Sequence, residues 1–92
     1  MWRVIWSKKV DKELDKLPHY ILEKFKYWVL AVEEVGMHKV RFCRGFNDEI
    51  LRGKRFGQRS IRLNNAYRAI YIEYKSGEIE IIEVIEVNKH EY

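Results

Sequence analysis

Apolar and polar positions along the chain follow two rhythms in turn. Trp2 to Trp6 (WRVIW) is β-branched and aromatic and ends at Ser7, which predicts a first strand. Ser7 then stands where a helix N-cap is expected. Val10, Leu14 and Leu17 follow at spacings of four and three, one apolar stripe on a short helix whose other face is Lys9, Lys12, Asp15 and Lys16. Pro18 disfavours helical geometry at Leu17 but suits the first turn of a new helix. Ile21, Phe25, Trp28, Val29 and Val32 keep helical rhythm until Gly36, a natural stop. That rhythm explains these aromatics as core rather than as a cofactor box.

From Met37 to Arg44 the pattern is weak and fits either another helical turn or irregular chain. Gly45, Gly53 and Gly57 then punctuate a loop. The period changes to two at Arg59, where Arg59, Ile61 and Leu63 alternate with Ser60 and Arg62, predicting a half-buried strand. Asn64-Asn65 signals a hairpin turn, Tyr67 to Tyr74 a second strand, Lys75-Ser76-Gly77 a second turn, and Glu78 to Val87 a third strand. In that strand Ile82, Val84 and Ile85 break parity, as a bulge or a strand covered on both faces would require. The first strand, separated from this antiparallel meander by both helices, joins its sheet only through a long crossover and is expected to lie parallel to its neighbour. The prediction is an α+β fold in one domain spanning residues 1–92: an N-terminal strand, a two-helix hairpin, then a three-stranded meander, with both helices on one face of one sheet.

Charge sharpens this picture. The formal net charge of +4 conceals a basic middle: residues 39–68 carry nine Lys/Arg against two Asp/Glu, and residues 69–92 carry two against six. Arg52, Lys54, Arg55, Arg59, Arg62 and Arg68 fall in one window that contains no acid, with Asp48 and Glu49 just ahead of it. Cations this dense repel one another, and phosphate is the usual group that offsets them. A plain solvated basic surface is the bland alternative. Arg68, on a predicted central strand, needs a partner; a structural ion pair to a last-strand glutamate such as Glu83 is the non-functional option.

Several classes of function drop out. No apolar run approaches a membrane span, and MWRVIWSKK is too short for a signal peptide. The single cysteine, Cys43, cannot form an internal disulfide, which fits a reducing cytoplasm. His19, His38 and His90 are scattered and Cys43 has no cysteine partner, so no metal site and no cofactor are expected. Gly53-Lys54-Arg55-Phe56-Gly57 lacks the nucleotide-loop pattern, and Ser7, Ser60 and Ser76 sit in no nucleophile elbow.

What remains is metal-free acid–base chemistry. Cutting RNA this way needs a base for the 2′-hydroxyl, an acid for the leaving 5′-oxygen and a cation for the phosphorane. Glu49, His90 and Arg68 are the right types. The tail Asn88-Lys89-His90-Glu91-Tyr92 also supplies a phenol able to stack on a base and, in Lys89, a further cation.

The stretch LRGKRFGQRSIRLNNAYRAIY resembles the core signature of the RelE/ParE superfamily of bacterial toxins: Leu-Lys/Arg-Gly, a short loop, Gly-x-x-Ser-hydrophobic-Arg, a turn, and aromatic-Arg-x-x-Tyr. The helix hairpin and the tail fit as well, so the likeness covers essentially the whole chain. It is greatest to the RelE, YoeB and HigB branches of ribosome-dependent mRNA interferases. There the segment Glu49-Ile50-Leu51-Arg52-Gly53 matches one that carries a catalytic glutamate, and the catalytic arginine falls on Arg68. The tail matches through His90 and Tyr92, with Glu91 as an insertion; Ser60 stands where some members have lysine. The resemblance implies the toxin of a type II toxin–antitoxin system that cleaves mRNA in the ribosomal A site and is silenced by a cognate protein antitoxin. It implies Glu49 as base, His90 as acid, Arg68 as phosphate stabiliser and Tyr92 as a base-orienting ring. Arg52, Lys54, Arg55, Arg59, Arg62 and Lys89 would then grip mRNA and ribosomal RNA. The alternative within the superfamily is a ParE-type toxin that inhibits DNA gyrase by binding alone. A third possibility is an RNA-binding domain without chemistry.

Overall fold

The computed structural model describes residues 1–89; His90, Glu91 and Tyr92 lie outside the described residues. The elements run β1 (Trp2–Trp6), α1 (Lys8–Asp15), α2 (His19–Val35), α3 (Met37–Val40), β2 (Glu49–Ile50), β3 (Arg59–Arg62), β4 (Tyr67–Ser76) and β5 (Ile79–Lys89). Short 3-10 turns occupy Arg44–Phe46 and Gly53–Arg55.

One sheet has the order β1-β5-β4-β3-β2. β1 pairs with β5 in parallel, Val4 opposite Ile82, and every other pairing is antiparallel. The predicted class, crossover and meander therefore stand. The four-residue α3 takes the helical option for the start of the Met37–Arg44 stretch, and one element goes beyond the sequence reading: β2, whose two ladder positions are too few to show a period.

Local chemistry explains the helices. Ser7 Oγ accepts a hydrogen bond from Val10 N at 3.4 Å and so starts α1. Pro18 ends that stretch and enters α2, where its carbonyl accepts from Ile21 N and Leu22 N. Gly36 ends α2 at φ +91°, and a Cβ there would come within 2.6–2.7 Å of His38 and Trp2 ring atoms.

The sheet buries one face. Val10 and Leu14 of α1, Ile21, Phe25, Trp28 and Val32 of α2, and Met37 and Val40 of α3 pack on Val4, Ile61, Ala69, Tyr71, Ile82, Val84 and Val87. The broken parity of β5 is a bulge. Ile70 pairs with Glu86 but Tyr71 pairs with Val84, so Ile85 is the extra residue. Without it Val84 and Val87 would face opposite sides; with it both reach the core. Two helix glutamates satisfy strand N–H groups. Glu33 accepts from Val4 N at 3.0 Å, and Glu13 from Val87 N at 2.9 Å, past the end of β1. No helix among the described residues is long and apolar enough to cross a membrane.

Candidate active site on the open sheet face

Strand alternation sorts the charged residues onto two sides. Ile61 and Ala69 face the helices, so their neighbours Ser60, Arg62 and Arg68 face away. β2 follows the same rule. Glu49 pairs with Ser60 and faces out, while the adjacent Asp48 turns inward.

On the open face, Glu49, Ser60, Arg62, Asn64, Asn65, Tyr67 and Arg68 line one narrow pocket of about 30 Å³. The β3–β4 turn forms one wall. Asn64 Oδ1 accepts from Ala66 N at 2.8 Å and from Tyr67 N at 2.7 Å, an Asx turn that fixes the rim. Arg68 makes no ion pair among the described residues, and its buried Nε has no hydrogen-bond partner there. The proposed alternative for Arg68 does not hold: Glu83 stands opposite Ile72 and accepts from the Tyr74 hydroxyl at 2.9 Å. That bond, ahead of slight desolvation, raises the Tyr74 pKa. Arg68 faces Asn88, whose buried Oδ1 is likewise unsatisfied. A buried donor left unmade costs about 1–3 kcal/mol, a cost that no described residue offsets at Arg68. The pocket thus offers a carboxylate, two guanidinium groups and a serine hydroxyl within one concavity.

The other predicted contacts divide. Arg52 and Lys54 are exposed and form no ion pair among the described residues. Arg55 bonds Glu86 at 3.0 and 3.2 Å and Gln58 at 2.9 Å, and Asn88 also bonds Glu86. Arg59 is on the helix side, where its Nε lies 2.7 Å from Asp48 Oδ1. Asp48 Oδ2 accepts from the Tyr71 hydroxyl, with Met37 Sδ 3.7 Å from that oxygen, and Arg41 pairs with Glu73 nearby. Burial, and then the hydrogen bond and charge of Asp48, push the Tyr71 pKa far up. Lys89 ends the described chain opposite Tyr67. The assigned acid His90 and the ring of Tyr92 lie outside the described residues.

Sequence reasoning passed over Ser60, Asn64, Asn65 and Tyr67 as lining residues. The signal for Ser60 was present, because alternation with Arg62 already placed both on one face. Among the described residues no cluster of three or more His, Cys, Asp and Glu could hold a metal ion.

No family model and no curated protein matches the sequence. Solved structures do. A YoeB/ParE toxin from Agrobacterium tumefaciens superposes with a TM-score of 0.71 at 20% identity, over 97% of this chain and 99% of that one. The archaeal RelE–RelB complex from Pyrococcus horikoshii gives 0.68 at 22% identity, over 96% and 93%. The toxin-antitoxin complex RelBE2 from Mycobacterium tuberculosis gives 0.66 at 20% identity, over 96% of each chain. At these identities the likeness is one of fold, and it spans both chains nearly end to end: the chain has the fold that these YoeB/ParE, RelE and RelBE2 structures share.

Proposed function

We propose that the protein is a toxin that cleaves mRNA on the ribosome by metal-free acid–base chemistry. The observation that carries this reading is the pocket on the helix-free face, where Glu49 shares a lining with Arg62 and Arg68 and Arg68 forms no ion pair among the described residues. Glu49 takes the proton of a 2′-hydroxyl, and the oxygen attacks the adjacent phosphorus. Arg68, with Arg62 beside it, stabilises the charge that builds on the phosphorane oxygens. The bond to the 5′-oxygen breaks, and that oxygen receives a proton from His90, leaving a 2′,3′-cyclic phosphate. Tyr92 stacks on or orients a base. Arg52 and Lys54 bind backbone phosphates, while Arg55 and Arg59 serve RNA only by leaving Glu86 and Asp48.

A protein antitoxin is the partner that such an activity requires. An acidic segment entering a basic groove binds fast through charge steering. Its presence is checked by co-expression with the adjacent reading frame; failure to copurify counts against it.

The function is tested by mapping RNA 5′ ends in cells that express the chain, its Arg68→Ala variant and its His90→Ala variant. Cleavage within codons on translated messages is expected from the parent, and about a 10²–10⁴-fold loss from each variant. DNA damage without new RNA ends would instead favour a ParE-type gyrase toxin, a reading to which the likeness to the YoeB/ParE toxin of Agrobacterium tumefaciens lends weight.

A further inference from the structure

The pocket described above leaves one exposed feature of the same sheet edge unexplained. On the helix side of β2 and β3, Ile50, Phe56, Gly57, Gln58, Arg59 and Glu73 border an open slot of about 290 Å³. Phe56 is 87% exposed and Ile50 58%. Two large apolar side chains in solvent, on a loop this basic, oppose the usual direction of burial.

The loop that carries Phe56 is held in place. Gly53 and Gly57 bracket it at φ +66° and +90°, conformations that side chains resist. Between them Arg55 is clamped to Glu86 on the opposite sheet face and to Gln58 Oε1. Phe56 is therefore presented by a fixed turn. Lys54 and Arg52 precede it, exposed and without an ion pair among the described residues.

We infer that the Ile50–Phe56 slot takes an unpaired nucleobase, stacked on the Phe56 ring, with Arg52 and Lys54 on the flanking phosphates. Aromatic rings interleaved with cations are how single-stranded nucleic acid is held without sequence preference. The Gln58 amide and the Glu73 carboxylate in the lining offer hydrogen bonds to a base edge. The charged groups of the slot wall are already paired, Arg59 with Asp48 and Glu73 with Arg41, which leaves phosphate contacts to the exposed Arg52 and Lys54 that precede Phe56 in the chain. A protein partner fits less well, since two apolar side chains fall short of the roughly 800 Å² per side that a stable interface buries.

The slot and the Glu49–Arg68 pocket lie on opposite faces of one edge, because Ile50 and Glu49 are adjacent on β2. The stacked base therefore belongs to an RNA segment other than the one being cut. This inference rests on the reading of the protein as RNA-directed.

The test is binding of the full chain to a short fluorescent 2′-O-methyl RNA single strand, which cannot be cleaved, and to the matching duplex. Phe56→Ala is expected to weaken single-strand binding about 5- to 100-fold, with an unchanged salt slope. Phe56→Trp should restore it, and duplex binding should be indifferent to both. Single-strand binding unchanged in Phe56→Ala overturns the inference while leaving the proposed function intact. Loss of antitoxin capture by Phe56→Ala, with RNA binding unchanged, overturns it in favour of a protein-docking edge. A parent chain that binds no RNA overturns both the slot and the RNA reading.

Discussion

Asp48 and Glu49 are neighbours in sequence, and so, three positions apart, are Arg59 and Arg62. The fold sends one member of each pair to either side of the sheet. On the helix side, the Asp48 side chain is 1% exposed and bound by both Arg59 and Tyr71. On the open side, Glu49, Arg62 and Arg68 share a pocket and form no ion pair with one another. Identical residue types thus do different work. The satisfied set holds the β2 loop to the sheet, and the unsatisfied set is left for a ligand. Charge density alone does not separate the two; pairing does.

The sharpest way to break this contrast is at the acidic pair. Glu49→Gln is expected to lower cleavage of ribosome-bound mRNA by about 10²–10⁴-fold while shifting stability by no more than about 0.5 kcal/mol. Primer extension on a translated message and urea denaturation check the two halves. A large loss of stability in Glu49→Gln would mean that Glu49, like Asp48, belongs to the scaffold.

The arginines supply the converse. Arg59→Met strands the buried Asp48 carboxylate with one neutral donor, and breaking a buried pair this way costs about 3–5 kcal/mol. Arg62→Met, on an exposed site, should cost no more than about 0.5 kcal/mol. Urea midpoints at neutral pH measure both. Equal costs would erase the distinction between the faces. Arg62→Met should instead appear in RNA binding, reducing the salt slope by about 1, as expected for one phosphate contact. An unchanged slope would remove Arg62 from the interface.

This division was partly legible beforehand. The alternation of Arg59, Ile61 and Leu63 against Ser60 and Arg62 already put Arg59 on the buried side, although it was counted among the RNA contacts. The fold was legible because its long elements carry strong periods, and even the β5 bulge showed as broken parity. The opposite faces of Asp48 and Glu49 were not legible, because a two-residue strand has no period to read. The Arg55–Glu86 clamp spans 31 positions and connects a loop to the last strand, and no local pattern encodes such a contact. Arg68 is marked by its type and its central strand, but that its Nε has no hydrogen-bond partner among the described residues is a fact of three dimensions.

Tyr71 gives a smaller and more specific test of the helix-side set, because it holds Asp48 by a bond that can be titrated. Its hydroxyl donates to that carboxylate, and burial followed by the Asp48 bond and charge holds its proton well above the usual tyrosine pKa of about 10. In the unfolded chain Tyr71 ionises near that ordinary value. The folded state therefore retains a proton that the unfolded state gives up, and this contribution to stability is present below about pH 10 and lost as pH rises toward the folded pKa. Tyr71→Phe removes both the bond and the titration. At neutral pH it should cost about 1–2 kcal/mol, since Asp48 keeps Arg59. Above about pH 10 the gap between parent and variant should narrow, because only the parent loses stability through this group. Denaturant midpoints across the alkaline range measure the gap. A gap that stays constant would show that the phenol is not tied to Asp48, and the anchor of the β2 loop would then be the Arg59 pair alone.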